Sequence, residues 1–225
     1  MVSLYRFVLA AALAFALAGA AAPWALAQEL VGNGGFEQGA AGWKLVVPGG
    51  GQAGQAGHDR FDVVTNSPHS GGHCLRLQSD DFACYGVAAP PFAVRPGEHY
   101  RVSAWFRADP AAAMRPDTPD LALAAGFVIR LTLRQGNAQA MGAHLFLSAG
   151  DVVTRDTPAA PTTPLPRDWT RIEAVIEMPA GTDNVVAGLF AWWTRGALYA
   201  DDFTIEKVAA APKAGALNPP PGTAP

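Results

Sequence analysis

Short runs of alternating apolar and polar residues, separated by turns rich in glycine and proline, recur along most of the chain. The clearest run is His99 to Ala108, where every second residue from Tyr100 to Phe106 is apolar. The preceding Arg95-Pro96-Gly97-Glu98 predicts a tight turn. About ten such strands, with no amphipathic helix, predict an all-β protein: a jelly-roll β-sandwich of two antiparallel sheets.

The second half of the chain continues this pattern. Leu121 to Arg134 and Gln139 to Leu147 predict a long hairpin that turns near residues 135–137. Three more strands are predicted to close the series, and they are Trp169 to Met178, Asn184 to Trp193 and Gly196 to Val208. The predicted sandwich therefore covers residues 28–208.

The two ends of the chain differ from this pattern. Residues 1–27 predict a secretory signal peptide, with Arg6 before an apolar run and Ala25-Leu26-Ala27 as the cleavage site. An uncleaved N-terminal anchor is the alternative, although the run is short for a membrane span. Residues 209–225, rich in Ala, Pro and Gly, predict a disordered tail. We therefore expect a secreted or periplasmic protein with no stable membrane span after cleavage.

The charge balance limits the class of partner. The chain carries a net charge of −3, and Arg6 is the only charged residue of the predicted leader, so the mature chain is more negative still. No run of five or more basic residues occurs. Because nucleic-acid binding needs clustered Lys and Arg, the sequence argues against a nucleic-acid partner.

The chain has two cysteines, Cys74 and Cys84. In an exported protein, an even number at close spacing predicts one disulfide bond between them. Two buried thiols are the alternative. Their spacing does not fit a C-x-x-C redox motif, and no second Cys/His pair completes a zinc site.

Several segments resemble the carbohydrate-binding modules attached to cellulases and xylanases, which are galactose-binding-like β-sandwiches. The quoted segments, in chain order, are Asn33-Gly34-Gly35-Phe36-Glu37 with Gly42-Trp43, Ser70-Gly71-Gly72 entering a strand, Pro96-Gly97-Glu98-His99-Tyr100, Trp169 to Pro179, and Asp201-Asp202. Each segment is a weak signal alone, but five in the right order are fairly specific for the fold. This fold serves many roles, so the resemblance predicts function less strongly.

The resemblance also implies a structural calcium ion that joins the first strand to the last. Glu37 and Asp201 are the corresponding residues, with Asp202 as the other candidate. Oxygen ligands of this kind suit Ca²⁺. Strand alternation places Asp201 on one face with Phe203 and Ile205, where a buried carboxylate would be costly unless paired or metal-bound. Capping of turns or ion pairs with Arg or Lys are the alternatives.

Sugar binding needs flat aromatic side chains with polar groups at their edge. Trp192 and Trp193 are adjacent in a predicted strand, so one is expected to face the core and the other the surface. The predicted carbohydrate-binding residues are Trp192, Trp193, Tyr85, Arg130 and His144. Further candidates are Trp105, Phe146, Arg134 and Gln139. A core or ordinary surface role remains open for each.

The combined interpretation is a non-catalytic, lectin-like module that binds a polysaccharide or glycan. A structural or adhesion protein that contacts a protein partner or the cell surface is the alternative. A hydrolase is less favoured, because no local pattern marks a pair of catalytic carboxylates and no G-x-S-x-G motif occurs. His58, Asp59, His69 and His73 lie close in sequence, but their irregular spacing favours ordinary surface residues over a metal site.

Overall fold

The structure is a computed structural model that describes residues 29–47, 60–115, 126–146, 152–154 and 165–209. Within these ranges, β-strands are the only regular secondary structure. The strands are β1 (Lys44–Val46), β2 (Arg60–Val64), β3 (Cys74–Ala88), β4 (Phe92–Ala93), β5 (His99–Ala108), β6 (Ala113–Met114), β7 (Gly126–Gln135), β8 (Ala138–Phe146), β9 (Val152–Thr154), β10 (Thr170–Glu177) and β11 (Asn184–Val208). The predicted all-β class is confirmed.

The strands form two antiparallel layers that share two long strands. In the first sheet, β10 pairs with β5, β5 with the second half of β11, and β11 with the first half of β3, which also pairs with β2. In the second sheet, the order is β1, the second half of β3, the first half of β11, β7, β8 and β9. The predicted hairpin is confirmed as β7 and β8.

Irregular pairing marks the place where β11 passes from the second sheet to the first. Its register with β3 shifts between Trp192 and Thr194 and again before Gly196. Trp193 adopts a left-handed backbone conformation, with φ of 49°. Bulges of this kind bend a strand and increase its twist, which lets one strand contribute to both layers of a sandwich.

The core lies between the two sheets and follows the predicted alternation. On β7, Ile129, Leu131 and Leu133 are buried in it, whereas Arg130 and Arg134 point to the outer face of the second sheet and are half-buried. Because side chains alternate along a strand, apolar residues at every second position are enough to direct both arginines outward.

The N-terminal segment is bound to the last strand, as the sequence predicts. The Leu30 amide donates to the Ile205 carbonyl at 2.9 Å, and the Phe203 amide donates to the Gly34 carbonyl at 3.0 Å. The Trp43 ring packs between Phe36 and Phe203, with ring centroids 5.2 and 5.8 Å away. These contacts close one end of the core.

The predicted disulfide between Cys74 and Cys84 is wrong. Both residues lie on β3, ten positions apart, and no disulfide joins them. A strand rises about 3.3 Å per residue, so their Cα atoms are far beyond the reach of an S–S bond. Cys74 is a free thiol in the interior, and its burial raises its pKa to about 11.

The predicted leader and almost all of the predicted tail fall outside the described residues, so both stay predictions. In the part of the chain that the structure describes, no helix has the length and apolar character needed to cross a bilayer.

Candidate functional site

Asp201 lies at the junction between the last strand and the turn formed by residues 69–73. Its side chain is fully buried, yet it is not among the apolar side chains of the core. Its Oδ2 accepts hydrogen bonds from the His69 and Ser70 amides at 2.9 and 3.2 Å, and its Oδ1 accepts one from the Asp202 amide at 2.8 Å. The turn covers the carboxylate and shields it from water.

The expectation that Asp201 shares a face with Phe203 and Ile205 is wrong. The register between β11 and β5 shifts after Asp201, and Asp202 has φ of 47°. This bulge turns Asp201 to the outer face, where it pairs with Trp105 of β5. An extra residue in one strand switches the faces of the residues on its two sides, which simple alternation cannot anticipate.

Two histidines bind the other two predicted carboxylates. His69 Nδ1 lies 2.6 Å from Asp202 Oδ2, and His73 Nδ1 lies 3.0 Å from Glu37 Oε2. The Gly72 amide also donates to Glu37 Oε1 at 2.8 Å. Glu37, Asp201 and Asp202 therefore all contact residues 69–73, and we call this arrangement the acidic junction.

The carboxylates of the acidic junction differ in their electrostatic environment. Burial raises the pKa of Asp201 to about 6, because removal from water disfavours the charged form. The hydrogen bond from His73, followed by that from Gly72, lowers the pKa of the exposed Glu37. Within the described residues no Arg or Lys forms an ion pair with Asp201 or Asp202, so a cation would relieve the cost of burying their charge.

The acidic junction offers carboxylate oxygens, which are ligands that Ca²⁺ prefers. The carboxylate of Asp201 forms no ion pair with an Arg or Lys among the described residues. Asp201 and Asp202 would hold the ion, and Glu37 reaches the same turn through different amides. No group of three or more His, Cys, Asp or Glu side chains converges as a metal centre within the described ranges.

Trp105 and Trp169 surround His69 on the outer face of the first sheet. The His69 ring stacks on Trp105 with centroids 3.9 Å apart, and Trp169 meets it edge-on at 5.8 Å. The Trp169 indole N–H donates to the Ser67 carbonyl at 3.2 Å. These aromatic side chains hold the loop that covers Asp201, which indicates a structural role.

A cavity of about 200 Å³ opens on the outer face of the second sheet. Arg130, Thr132 and Arg134 of β7 form one side, and Gly188 and Phe190 of β11 form another, with one residue each from β1 and β3 near the rim. None of the described residues that line it is acidic. We call it the arginine cavity.

The floor of the arginine cavity depends on two glycines. A Cβ atom on Gly86 or on Gly188 would lie 2.7 Å from the Phe190 ring, well inside van der Waals contact. Only glycine leaves room for the ring to lie across the two strands. The Arg130 guanidinium carbon is 5.8 Å from the centroid of the same ring, close enough for a cation–π contact.

The structure separates the aromatic residues predicted to bind sugar. Tyr85 is fully buried in the core, so its prediction as a binding residue is wrong. Trp192 and Trp193 do not divide between core and surface, because the bulge at Trp193 places both at one cluster with Val128 and Phe190. Trp192 is 7% exposed and Trp193 is half-buried, with the Arg115 guanidinium 5.1 Å from its ring.

The polar residues predicted to bind sugar, Arg130 and His144, belong to the β7–β8 hairpin that borders the arginine cavity. Arg130 lines it, and His144 is the residue that pairs with Arg130 across the β7–β8 hairpin. The His144 side chain lies outside the described part, as do those of Gln139 and Phe146.

Phe190 was missed by the sequence interpretation. A signal for it existed, because Gly188, Phe190 and Trp192 alternate on the same face of a predicted strand.

No protein-family model and no curated protein matches the chain. Among solved structures, the enzymatically active domain of bacteriophage CBA120 tailspike protein 4 aligns with 80% of this chain and 21% of its own, at 9% identity and a TM-score of 0.52. A Family 16 carbohydrate-binding module aligns with 78% of this chain and 98% of its own, at 16% identity and a TM-score of 0.47. The CBM22-1 xylan-binding domain from Paenibacillus barcinonensis aligns with 82% and 95%, at 17% identity and a TM-score of 0.47.

Carbohydrate-binding modules, the class that the sequence resembles, are among these structures. At these identities the likeness concerns the fold, and the binding role has to be argued from this chain's own residues.

Proposed function

We propose that the protein is an exported, non-catalytic carbohydrate-binding module whose arginine cavity holds the sugar. The observation that carries the proposal is the cavity itself, which combines an aromatic floor with polar side chains at its side. Ligand sites in proteins are concave and combine apolar side chains with a few polar groups that fix the orientation of the ligand. Phe190, 2% exposed, forms the base of the cavity, and Thr132 and the two arginines supply the donors.

A non-catalytic role agrees with the chemistry at the acidic junction. There, Ser70 Oγ donates to Asp202 at 2.7 Å rather than pairing with His69, so the three residues do not form a nucleophile activated by a base. A contact surface for another protein is the alternative that the sequence leaves open, and the binding experiment separates the two.

Blocking the arginine cavity with Thr132→Trp is expected to abolish polysaccharide binding, because the indole would fill a space of about 200 Å³. The measurement is affinity electrophoresis through gels that contain soluble polysaccharides, neutral and acidic, with an assay for released reducing ends. Thr170→Trp, at an exposed position of β10 on the other sheet, is the matched control and should bind as the wild type does. A wild-type protein that binds no polysaccharide would overturn the proposal and favour a protein contact.

The proposal includes a structural Ca²⁺ at the acidic junction. Removing Ca²⁺ with a chelator is expected to lower the melting temperature of the full chain, and adding Ca²⁺ back should restore it, because the ion would compensate the buried charge of Asp201. Mg²⁺ at the same concentration is the control, since it demands a stricter octahedral geometry and should restore the melting temperature less well. An unchanged melting temperature on chelation would remove the calcium site.

A further inference from the structure

Arg130 and Arg134 differ from Arg76 and Arg101 of the first sheet in having no acidic partner among the residues that the structure describes. Arg76 forms a two-pronged ion pair with Asp62, and Arg101 faces Glu173 and Glu206. By contrast, neither Arg130 nor Arg134 forms an ion pair or a side-chain hydrogen bond within the described residues, and the Nε atom of each is buried without a partner.

Partial burial makes this arrangement costly. Burial lowers the pKa of Arg130, because removal from water disfavours its charged form. A guanidinium has five N–H donors and no acceptor, and it matches a carboxylate in a bidentate geometry. A half-buried, unpaired arginine is therefore poised for an anion, and the arginine cavity holds two of them.

We infer that the arginine cavity binds an acidic polysaccharide through the carboxylate groups of its sugar units, which Arg130 and Arg134 hold in bidentate hydrogen bonds. This inference rests on the proposed function and specifies its substrate class. According to this inference, the ligand needs a carboxylate group as well as a sugar ring.

The spacing of the two arginines favours a repeating anion over a single compact one. They are four positions apart on β7, so their Cα atoms are separated by about 13 Å along the strand. Phe190 lies at the floor near Arg130, and Thr132 lies between the arginines. A chain of uronic acid units would place a sugar ring in the cavity beside Thr132 and carboxylates at the arginines.

The negative net charge of the protein does not attract a polyanion, so binding of an acidic polysaccharide depends on Arg130 and Arg134 themselves. The net charge is −3, so a polyanion gains nothing from the protein surface as a whole. Binding should therefore depend on the two arginines and fall only moderately between low and physiological salt, since few charge pairs are formed.

The test compares polygalacturonate with its fully methyl-esterified form, which has the same sugars but no charge. Isothermal titration calorimetry with the purified full chain measures both affinities. A second comparison, between dextran sulfate and uncharged dextran, tests whether the protein binds sulfate groups. We expect polygalacturonate to bind at least about tenfold more tightly than its methyl ester, as one lost charge-assisted contact of 1.4 kcal/mol implies. Dextran sulfate should bind more weakly than polygalacturonate.

Two variants assign the effect to the cavity. Arg130→Gln and Arg134→Gln should each reduce the affinity for polygalacturonate about tenfold or more while leaving any affinity for the methyl ester nearly unchanged. Arg101→Gln, on the outer face of the first sheet, removes the same charge and should bind as the wild type does. Circular dichroism and thermal melts of all three confirm that each is folded.

The outcomes distinguish this inference from the proposed function. Equal binding of the acid and its methyl ester, both blocked by Thr132→Trp, would overturn the inference and leave the sugar site in place. Preference for dextran sulfate over polygalacturonate would overturn the assignment to carboxylates. Polygalacturonate binding that Arg101→Gln weakens as much as Arg130→Gln would overturn the location. Failure to bind any polysaccharide would overturn the proposed function as well.

Discussion

Asp201→Ala is expected to lower the free energy of unfolding by about 3–5 kcal/mol, the largest effect we expect from removing a charged side chain. The carboxylate accepts three backbone hydrogen bonds, from His69, Ser70 and Asp202, and it is fully shielded from water. Alanine would leave these partly buried amides without an acceptor. Urea denaturation of the full chain, in the presence of a chelator so that metal binding does not contribute, gives the change directly.

A matched variant separates the hydrogen bonds from the loss of charge. Asp62→Ala also removes one negative charge, but Asp62 is exposed and its ionic partner in the described part of the chain is Arg76, so the loss should stay below about 1 kcal/mol. Asp201→Asn keeps one acceptor oxygen, so its loss in the free energy of unfolding should lie between those of Asp201→Ala and Asp62→Ala. Equal losses for Asp201→Ala and Asp62→Ala would show that the acidic junction does not hold the 69–73 turn.

Gly34→Ala is expected to lower the free energy of unfolding by about 2–4 kcal/mol, through overpacking and a lost hydrogen bond. A Cβ on Gly34 would lie 1.8 Å from the carbonyl oxygen of Phe203, so the backbone of one segment has to move. That movement breaks the hydrogen bond from the Phe203 amide to the Gly34 carbonyl. It also separates Trp43 from Phe203, which pack together at 5.8 Å between ring centroids.

Gly32→Ala is the control for this prediction. It makes the same chemical change two residues away, but nothing lies within 4 Å of its added Cβ, so stability should change by less than about 0.5 kcal/mol. Hydrogen exchange gives a second readout, since only Gly34→Ala should lose protection at the Phe203 amide. Similar melting curves for both variants would mean that the N-terminal segment is not needed to close the core.

Strand alternation is enough to explain the parts of the site that depend on local sequence. On β7, the apolar residues Ile129, Leu131 and Leu133 alternate with Arg130 and Arg134, so the faces of all five follow from position alone. The pairing of the chain ends was predicted from the resemblance, and the hydrogen bond between Phe203 and Gly34 confirms it.

Bulges account for the wrong predictions about which face Asp201 and the two adjacent tryptophans occupy. Simple alternation fails at Trp193 and at Asp202, where the backbone is left-handed with φ of 49° and 47°. Each bulge switches the faces of its neighbours, so Trp192 and Trp193 join one cluster and Asp201 turns away from the core. The position of a bulge is set by the strands on either side, which come from distant parts of the chain.

The fold class and the outward face of Arg130 and Arg134 follow from local sequence, because a period of two residues acts between neighbours and needs no tertiary information. Which groups meet depends instead on contacts between distant parts of the chain. Two of the three amides that bind Asp201 are 132 and 131 residues away in sequence. The Phe190 floor requires Gly86 from a different strand. Such contacts depend on the bends in β3 and β11, the two strands that belong to both sheets. Many interactions between distant parts of the chain together set these bends.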